Sequence, residues 1–252
     1  MVTLNLIMIG TAGAGKTTLA GALGKWIKEN TDIRVAHINL DPGCDFTPFE
    51  PDFDIRDYFT TDGIMREENL GPNGAVVRAS EMLEMRVEEF SRLISGLGAD
   101  VRIVDTPGQM EVFLFHGGPR IVELLEGSKI TLFVIDAEIA ERAAGLVFSQ
   151  MLGLSAGLRL GAPTLTVLNK IDLLGDRLPS IESMMADWEL LRERLVEEGS
   201  GVAVDLMLRL SEALPHLLPA ARMVKTSART GEGIRELYDI VHEVSCACGD
   251  LT

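Results

Sequence analysis

Residues 4–18 read LNLIMIGTAGAGKTT, from Leu4 to Thr18. An apolar run, broken only by Asn5, predicts a strand over residues 3–9. KTTLAGALGKWIKEN (16–30) then carries Leu19, Leu23 and Trp26 at helical spacing. Between the two, Gly10-Thr11-Ala12-Gly13-Ala14-Gly15-Lys16-Thr17 matches G-x-x-x-x-G-K-[ST] in the strand–turn–helix context that the motif requires. Glycines let the backbone curl around a phosphate with its N–H groups pointing inward. Lys16 is placed to neutralise β- and γ-phosphates, and the Thr17 hydroxyl to ligate Mg²⁺. Gly13, Ala14, Gly15 and Thr18 complete the expected nucleotide contacts of the loop.

Outward from this loop, apolar runs alternate with helical patterns. IRVAHIN (33–39), VRIV (101–104), ITLFVI (130–135), PTLTVL (163–168) and RMVKT (222–226) predict further strands. Such uninterrupted runs suit strands covered on both faces, so the fold class expected is α/β. The architecture is a three-layer P-loop NTPase fold, a mostly parallel sheet with helices on both faces. Helices are expected at 78–94, where Leu83, Val87, Phe90 and Ile94 share a face, and at 138–158, 181–196, 203–214 and 232–245. The stretch at about 175–220 reads as a helical insertion within one domain covering 1–252. LGPNGAV (70–76) reads by itself as a turn, with Pro72 setting φ and Asn73 or a glycine tolerating positive φ.

The 252 residues carry 46% hydrophobic and 24% charged side chains, an ordinary globular balance. A net charge of −15 argues against non-specific binding to nucleic acid or an anionic membrane. No apolar run is expected to span a membrane, and MVTLNLIMIG lacks the basic region and cleavage site of a signal peptide. Three cysteines, two of them in Cys246-x-Cys248, suggest no disulfide framework and fit a reducing cytoplasm.

The ends of the other strands carry chemistry. Asp105-Thr106-Pro107-Gly108-Gln109 follows VRIV; a carboxylate there can hold Mg²⁺ through water, and Gly108 can offer its N–H to a γ-phosphate. Gln109 stands where many GTPases place a water-orienting glutamine. Glu111 can polarise the same water, or is simply a solvated carboxylate. Asp41, in INLDPG, also points to the phosphate edge as a ligand of Mg²⁺ or of water, with a turn aspartate before Pro42 as the plainer reading. Asn169-Lys170-Ile171-Asp172 follows PTLTVL. The Asp172 carboxylate can accept from guanine N1–H and its 2-amino group together, donors that adenine lacks. The Lys170 stem can cover the purine, and Asn169 can bond N7 and brace the phosphate loop. Thr226-Ser227-Ala228 follows the next strand, with the Ala228 N–H expected at guanine O6. These motifs predict GTP over ATP. The loop's second residue is Thr11 rather than lysine, which weakens a partitioning-type ATPase.

This set, GTAGAGKTT, INLDPG, GPNGAV, DTPGQMEVFLFH, LNKIDLL, TSARTGEG and CACGDLT in order, resembles the GPN-loop GTPases over essentially the whole chain. The lack of a long C-terminal tail makes it similar to the archaeal form. The resemblance implies a Mg²⁺-dependent, GTP-hydrolysing homodimer in which Gly71, Pro72 and Asn73 of one subunit reach the phosphate end of the other's site. Asn73 is then a donor to the γ-phosphate or the attacking water, in a chain whose motif loops offer no obvious arginine finger. RNA polymerase assembly, known for eukaryotic relatives, is carried over by analogy alone.

Other residues say less. Cys246 and Cys248 are too few for a closed zinc site in one chain, and two subunits are needed to supply four thiolates. His116 lies near the switch as a nucleotide-responsive or an ordinary packed histidine. Met184, Met185, Trp188 and Met207 cover the base, bind a partner, or form core. The rivals to a slow GTPase switch are a GTP-dependent scaffold with negligible turnover and a phosphate-transferring kinase, against which NKID and TSA argue.

Overall fold

The computed structural model describes residues 2–217 and 223–249, with side chains up to residue 245. The N-terminal run is strand β1 (Leu4–Gly10), buried at every residue. It is the middle of a seven-stranded sheet with β2 (Val35–Asn39), β3 (Phe53–Asp54), β4 (Val101–Asp105), β5 (Ser128–Asp136), β6 (Thr164–Asn169) and β7 (Val224–Thr226). The order is β3-β2-β4-β1-β5-β6-β7, and every pairing is parallel. Successive side chains of β1 alternate between two cores. Leu4, Leu6 and Met8 pack with Leu19, Leu23 and Ile27 of α1 (Lys16–Asn30) and with Leu237 and Val241 of α11 (Ile234–Gly249). Ile7 and Ile9 face the opposite core, built from α4 (Val87–Ser95), α6 (Gly118–Leu124) and α7 (Ala143–Leu160). Two covered faces explain why the strands read as continuous apolar runs.

β1 lies between β4 and β5, so the order of connection reverses there. A crevice opens at such a switch point, beyond the carboxyl ends of the strands. Register brings the candidate residues to this edge. Asp105 pairs with Met8 on one side and Asn39 on the other, and Asn169 pairs with Asp136 and Thr226.

Several expected elements differ. GPN is not a turn: Gly71 is an extended N-cap, and Pro72 begins helix α3 (Pro72–Met85). Proline at the first helical position loses no hydrogen bond, which favours the helix start. The positive φ falls on Asn69, at 53°, where it ends α2 (Thr61–Glu68), a helix not foreseen, as β3 was not. The helix expected at 78–94 breaks at Arg86, whose guanidinium covers the rings of Tyr58 and Phe90 at 4.6 and 4.7 Å. The helix expected at 181–196 breaks into α8 (Leu178–Ala186) and α9 (Trp188–Glu198), because the Asp187 carboxylate caps the second by accepting from Glu189 N and Leu190 N. α10 (Val202–Leu217) follows them. Met184 is buried, and Met185, Trp188 and Met207 pack against the same core.

The expectation that no apolar run reaches span length is corrected by α7, whose 18 residues qualify by length and composition. It packs on the sheet and on other helices through Leu146, Val147, Ala156 and Leu160, and a helix enclosed on several sides is apolar nearly all round. The Cys246 and Cys248 side chains lie outside the described residues.

Candidate nucleotide site

The phosphate loop is built by close backbone approach. Gly10 has φ 154°, and a Cβ there would stand 2.1 Å from the Val134 carbonyl oxygen of the adjacent strand. Gly15 caps α1 at φ 86°, and a Cβ there would stand 2.6 Å from Asn169 Nδ2. Larger residues at either position would push the loop off the sheet edge. Lys16 is buried, and its Nζ donates to the carbonyls of Gly10 (3.0 Å) and Thr11 (3.1 Å). Burial lowers its pKa, against the opposing pull of Asp105 and Asp41.

Asp105 ends β4 beside this lysine. It is fully buried, and neither carboxylate oxygen has a partner at full hydrogen-bond geometry, although the Thr17 hydroxyl lies close enough to favour the ionised form. Burial pushes its pKa up to about 7 against Thr17 and Lys16. An orphaned buried carboxylate is costly, and a cation beside it relieves that cost. Among the described residues no cluster of three or more His, Cys, Asp or Glu is arranged to hold a metal by itself. One hydroxyl and one or two carboxylates, completed by phosphate and water, is instead the donor set that suits Mg²⁺. Thr17, Asp105 and Asp41 fit it.

Asp41 sits just beyond β2. Its Oδ1 accepts from Gly43 N (2.9 Å) and its Oδ2 from Gly108 N (3.2 Å), so it joins the loop after β2 to the loop after β4. Burial raises its pKa, against those two amides, Lys16 and Arg56. The Gly108 N–H, expected to be free for a γ-phosphate, is thus held by a carboxylate that stands in for an anion.

A cavity of about 270 Å³ adjoins this edge, lined in part by Asp41, Gly108, Gln109 and His116, and by Val76 and Ala79 of α3. Gln109 is exposed and precedes α5 (Met110–Phe115). Glu111 is also exposed and does not line the cavity, so the structure brings Asp41 rather than Glu111 to the phosphate edge. Gly71, Pro72 and Asn73 are exposed at the start of α3, and line neither this cavity nor the one at the base site. Nor does a close approach require glycine there: a Cβ at Gly71 meets open space, and one at Gly74 only ordinary contact with Leu70. His116 Nδ1 stands 3.7 Å from Glu84.

The second cavity, about 250 Å³, is lined by Gly15, Thr18, Asn169, Lys170, Asp172 and Ala228 among others. Asn169 ties it to the phosphate loop: Nδ2 donates to Ala14 O (3.0 Å), while Oδ1 accepts from Thr226 Oγ1 (3.2 Å) and Ala228 N (3.1 Å). The Ala228 N–H, expected at the base, is therefore engaged by Asn169. Ser227 Oγ donates to Asp172 Oδ1 at 2.6 Å and orients that carboxylate. Lys170 lies in the left-handed region at φ 68°, and its Nζ pairs with Asp136 Oδ2 at 2.6 Å. Sequence reading missed Asp136. Its only signal is its place at the end of β5, and the partnership follows from the strand order.

Residues 8–247 match a family model described as a conserved hypothetical ATP binding protein. The chain is 37% identical over 251 residues to the GPN-loop GTPase PAB0955 of Pyrococcus abyssi, covering 98% of this chain and 99% of the relative. It is 30% identical over 241 residues to GPN-loop GTPase 1 of Dictyostelium discoideum, covering 94% of this chain but 60% of that relative's length. The crystal structure of the Pyrococcus abyssi protein, a GTPase in apo form, superposes with a TM-score of 0.89 at 35% identity, covering 97% of this chain and 98% of the other. With matching length, fold and motif order, the chain belongs to the GPN-loop GTPase family.

Proposed function

We propose that the chain is a Mg²⁺-dependent GTPase that hydrolyses the β–γ phosphoanhydride of GTP and works as a homodimeric switch, in one domain covering 1–252. The observation that carries this reading is the coupling through Asn169 of a base cavity holding Asp172 to the loop holding Lys16. The family model's description says ATP, whereas the relatives' names say GTPase. A carboxylate at the base edge favours guanine, whose N1–H and 2-amino group both donate.

Each residue then has a task. Lys16 leaves the Gly10 and Thr11 carbonyls for phosphate oxygens, and the ammonium offsets their charge. Thr17 and Asp105 would hold Mg²⁺, which would supply charge stabilisation to the phosphates. Asp41 gives up the Gly108 N–H to the γ-phosphate and turns to the attacking water, with Gln109 beside it. Gly13, Ala14, Gly15 and Thr18 line the phosphate cradle. Lys170, held by Asp136, lies over the purine, and Ser227 and Ala228 close its edge.

Asn73 acts across a dimer interface. Its exposure at the start of α3, where it lines neither of its own cavities, supports a role in the partner's site. The alternative is a scaffold that binds GTP with negligible turnover, and the half-buried Asp41, bridging the loops after β2 and β4, favours hydrolysis. The setting we propose is cytoplasmic, in the assembly of a protein complex, with RNA polymerase assembly carried over by family analogy.

Base selection is the test. Asp172→Asn is expected to weaken GTP binding by about 2–4 kcal/mol, because donors on the base would meet a mismatched amide. It is expected to gain xanthosine triphosphate, whose 2-position presents an oxygen. Titration with both nucleotides decides it, and unchanged GTP affinity removes Asp172 from the base site.

A further inference from the structure

The loop that carries Asp41 is gripped from outside the phosphate site by residues that no nucleotide motif contains. Asp54 pairs with Asn39 in register across β3 and β2. Arg56, two residues on, turns back on Asp54: its Nε lies 3.0 Å from both carboxylate oxygens and its Nη2 2.6 Å from Oδ2. Asp54 Oδ1 also accepts from Asn39 Nδ2 at 3.0 Å. Asn39, fully buried, accepts from Asp41 N through Oδ1 at 3.0 Å. The remaining guanidinium nitrogen, Nη1, donates to Cys44 O at 2.9 Å.

Residues 41–44 are thus held at both ends, at Asp41 N through Asn39 and at Cys44 O through Arg56. Pro42 O accepts from Thr61 N at 3.0 Å in between. A guanidinium fork spans a carboxylate and a carbonyl with separate nitrogens in fixed planar geometry, which the single nitrogen of a lysine does not reproduce. The Arg56 side chain is 23% exposed and that of Asp54 11%, so neither is a freely solvated surface pair.

We propose that Arg56 and Asp54, acting through Asn39, are positioning residues for Asp41. They set the backbone of residues 41–44 so that the Asp41 carboxylate meets the amide of Gly108 when nucleotide is absent and the phosphate end when it is present. Arg56 does not line the phosphate-edge cavity, and its nitrogens are spread over Asp54 and Cys44, so it is assigned to positioning rather than to the phosphate. The inference rests on the reading of Asp41 as a phosphate-end carboxylate.

The experiment compares Arg56→Lys, Asp54→Asn and the double variant, with Asp41→Asn as control. Thermal melting confirms that each is folded at the assay temperature. In each single variant kcat is expected to fall about 10–100-fold, the cost of a misplaced catalytic group, while GDP affinity stays within about two-fold. The double variant is expected to be no slower than the slower single, because the two act as one unit. Hydrogen exchange on nucleotide-free protein is expected to rise in residues 40–46 and not around Asn169.

Normal turnover in Asp54→Asn with slow turnover in Arg56→Lys would mean that the arginine acts directly on substrate, and would overturn the proposal. Unchanged exchange in residues 40–46, or multiplicative losses in the double variant, would overturn it too. Normal turnover in Asp41→Asn would defeat the reading of Asp41 itself. Slow turnover there with normal turnover in both single variants would defeat only the positioning role.

Discussion

Asn169 is the side chain on which both halves of the site converge, and its removal is the most informative single change. It is 1% exposed and makes three hydrogen bonds, to Ala14 O, from Thr226 Oγ1 and from Ala228 N. At about 1 kcal/mol for each neutral bond, Asn169→Ala is expected to lower the unfolding free energy by about 3 kcal/mol. Asn169→Asp separates the roles. It keeps an acceptor for Thr226 and Ala228, but sets a carboxylate oxygen against the Ala14 carbonyl in place of a donor. Its stability loss is expected to be at least as large, because a buried carboxylate then meets a carbonyl where a donor stood, and its effect on the phosphate loop remains. If about 1.4 kcal/mol of loop preorganisation is lost, the competent fraction drops about tenfold and GDP affinity follows. Urea unfolding of nucleotide-free protein measures the first quantity, and titration with fluorescent GDP the second. If Asn169→Asp bound GDP as tightly as wild type, the bond to Ala14 would not couple the base cavity to the phosphate loop, and the reasoning would be refuted.

Asn73→Ala is expected to slow GTP hydrolysis by on the order of 10²–10³ with little change in GTP affinity, since it removes one donor needed in the transition state. Mixed with Lys16→Ala, which is expected to lose tight GTP binding while staying folded, it should regain activity in heterodimers with one intact composite site; a mixture no faster than the sum of its parts, with heterodimers verified, removes the role in trans. His37 gives a pH dependence: it stacks on Phe49 at 4.4 Å, its Nδ1 is buried without a partner, and burial, helped by Lys28 and opposed by Asp52, lowers its pKa to about 4. The folded state therefore favours neutral imidazole, so its contribution is complete above pH about 6.5 and is lost as pH falls toward about 4, by at most about 3 kcal/mol. Urea unfolding across that window should show a smaller acid loss in His37→Gln than in wild type, and identical slopes would exclude His37 as the cause.

The sequence alone determined the strand–loop–helix at residues 4–30, the parallel character of the sheet and the candidate residues at its carboxyl edge. These features are local: a strand buried on both faces is a continuous apolar run, and a phosphate loop is a fixed spacing of glycines before Lys16 and Thr17. Periodicity failed where a single side chain overrode it. Leu83 to Ile94 keep one helical face, yet Arg86 leaves the helix to cover Tyr58 and Phe90, and Asp187 caps a new helix inside another apolar stripe. GPN read as a turn because Pro and Gly punctuate turns and helix starts alike. Only the tertiary structure decided which donors are already engaged: Gly108 by Asp41, Ala228 by Asn169 and Lys16 by its own loop. It also decided the partnerships of Lys170 with Asp136 and of Arg56 with the Asp41 loop. The chain between Asp136 and Lys170 is a whole helix and strand, and no local spacing records that β5 and β6 are neighbours. A buried polar group takes whichever partner the packed strands bring within about 3 Å, and that choice is made by the order of the sheet.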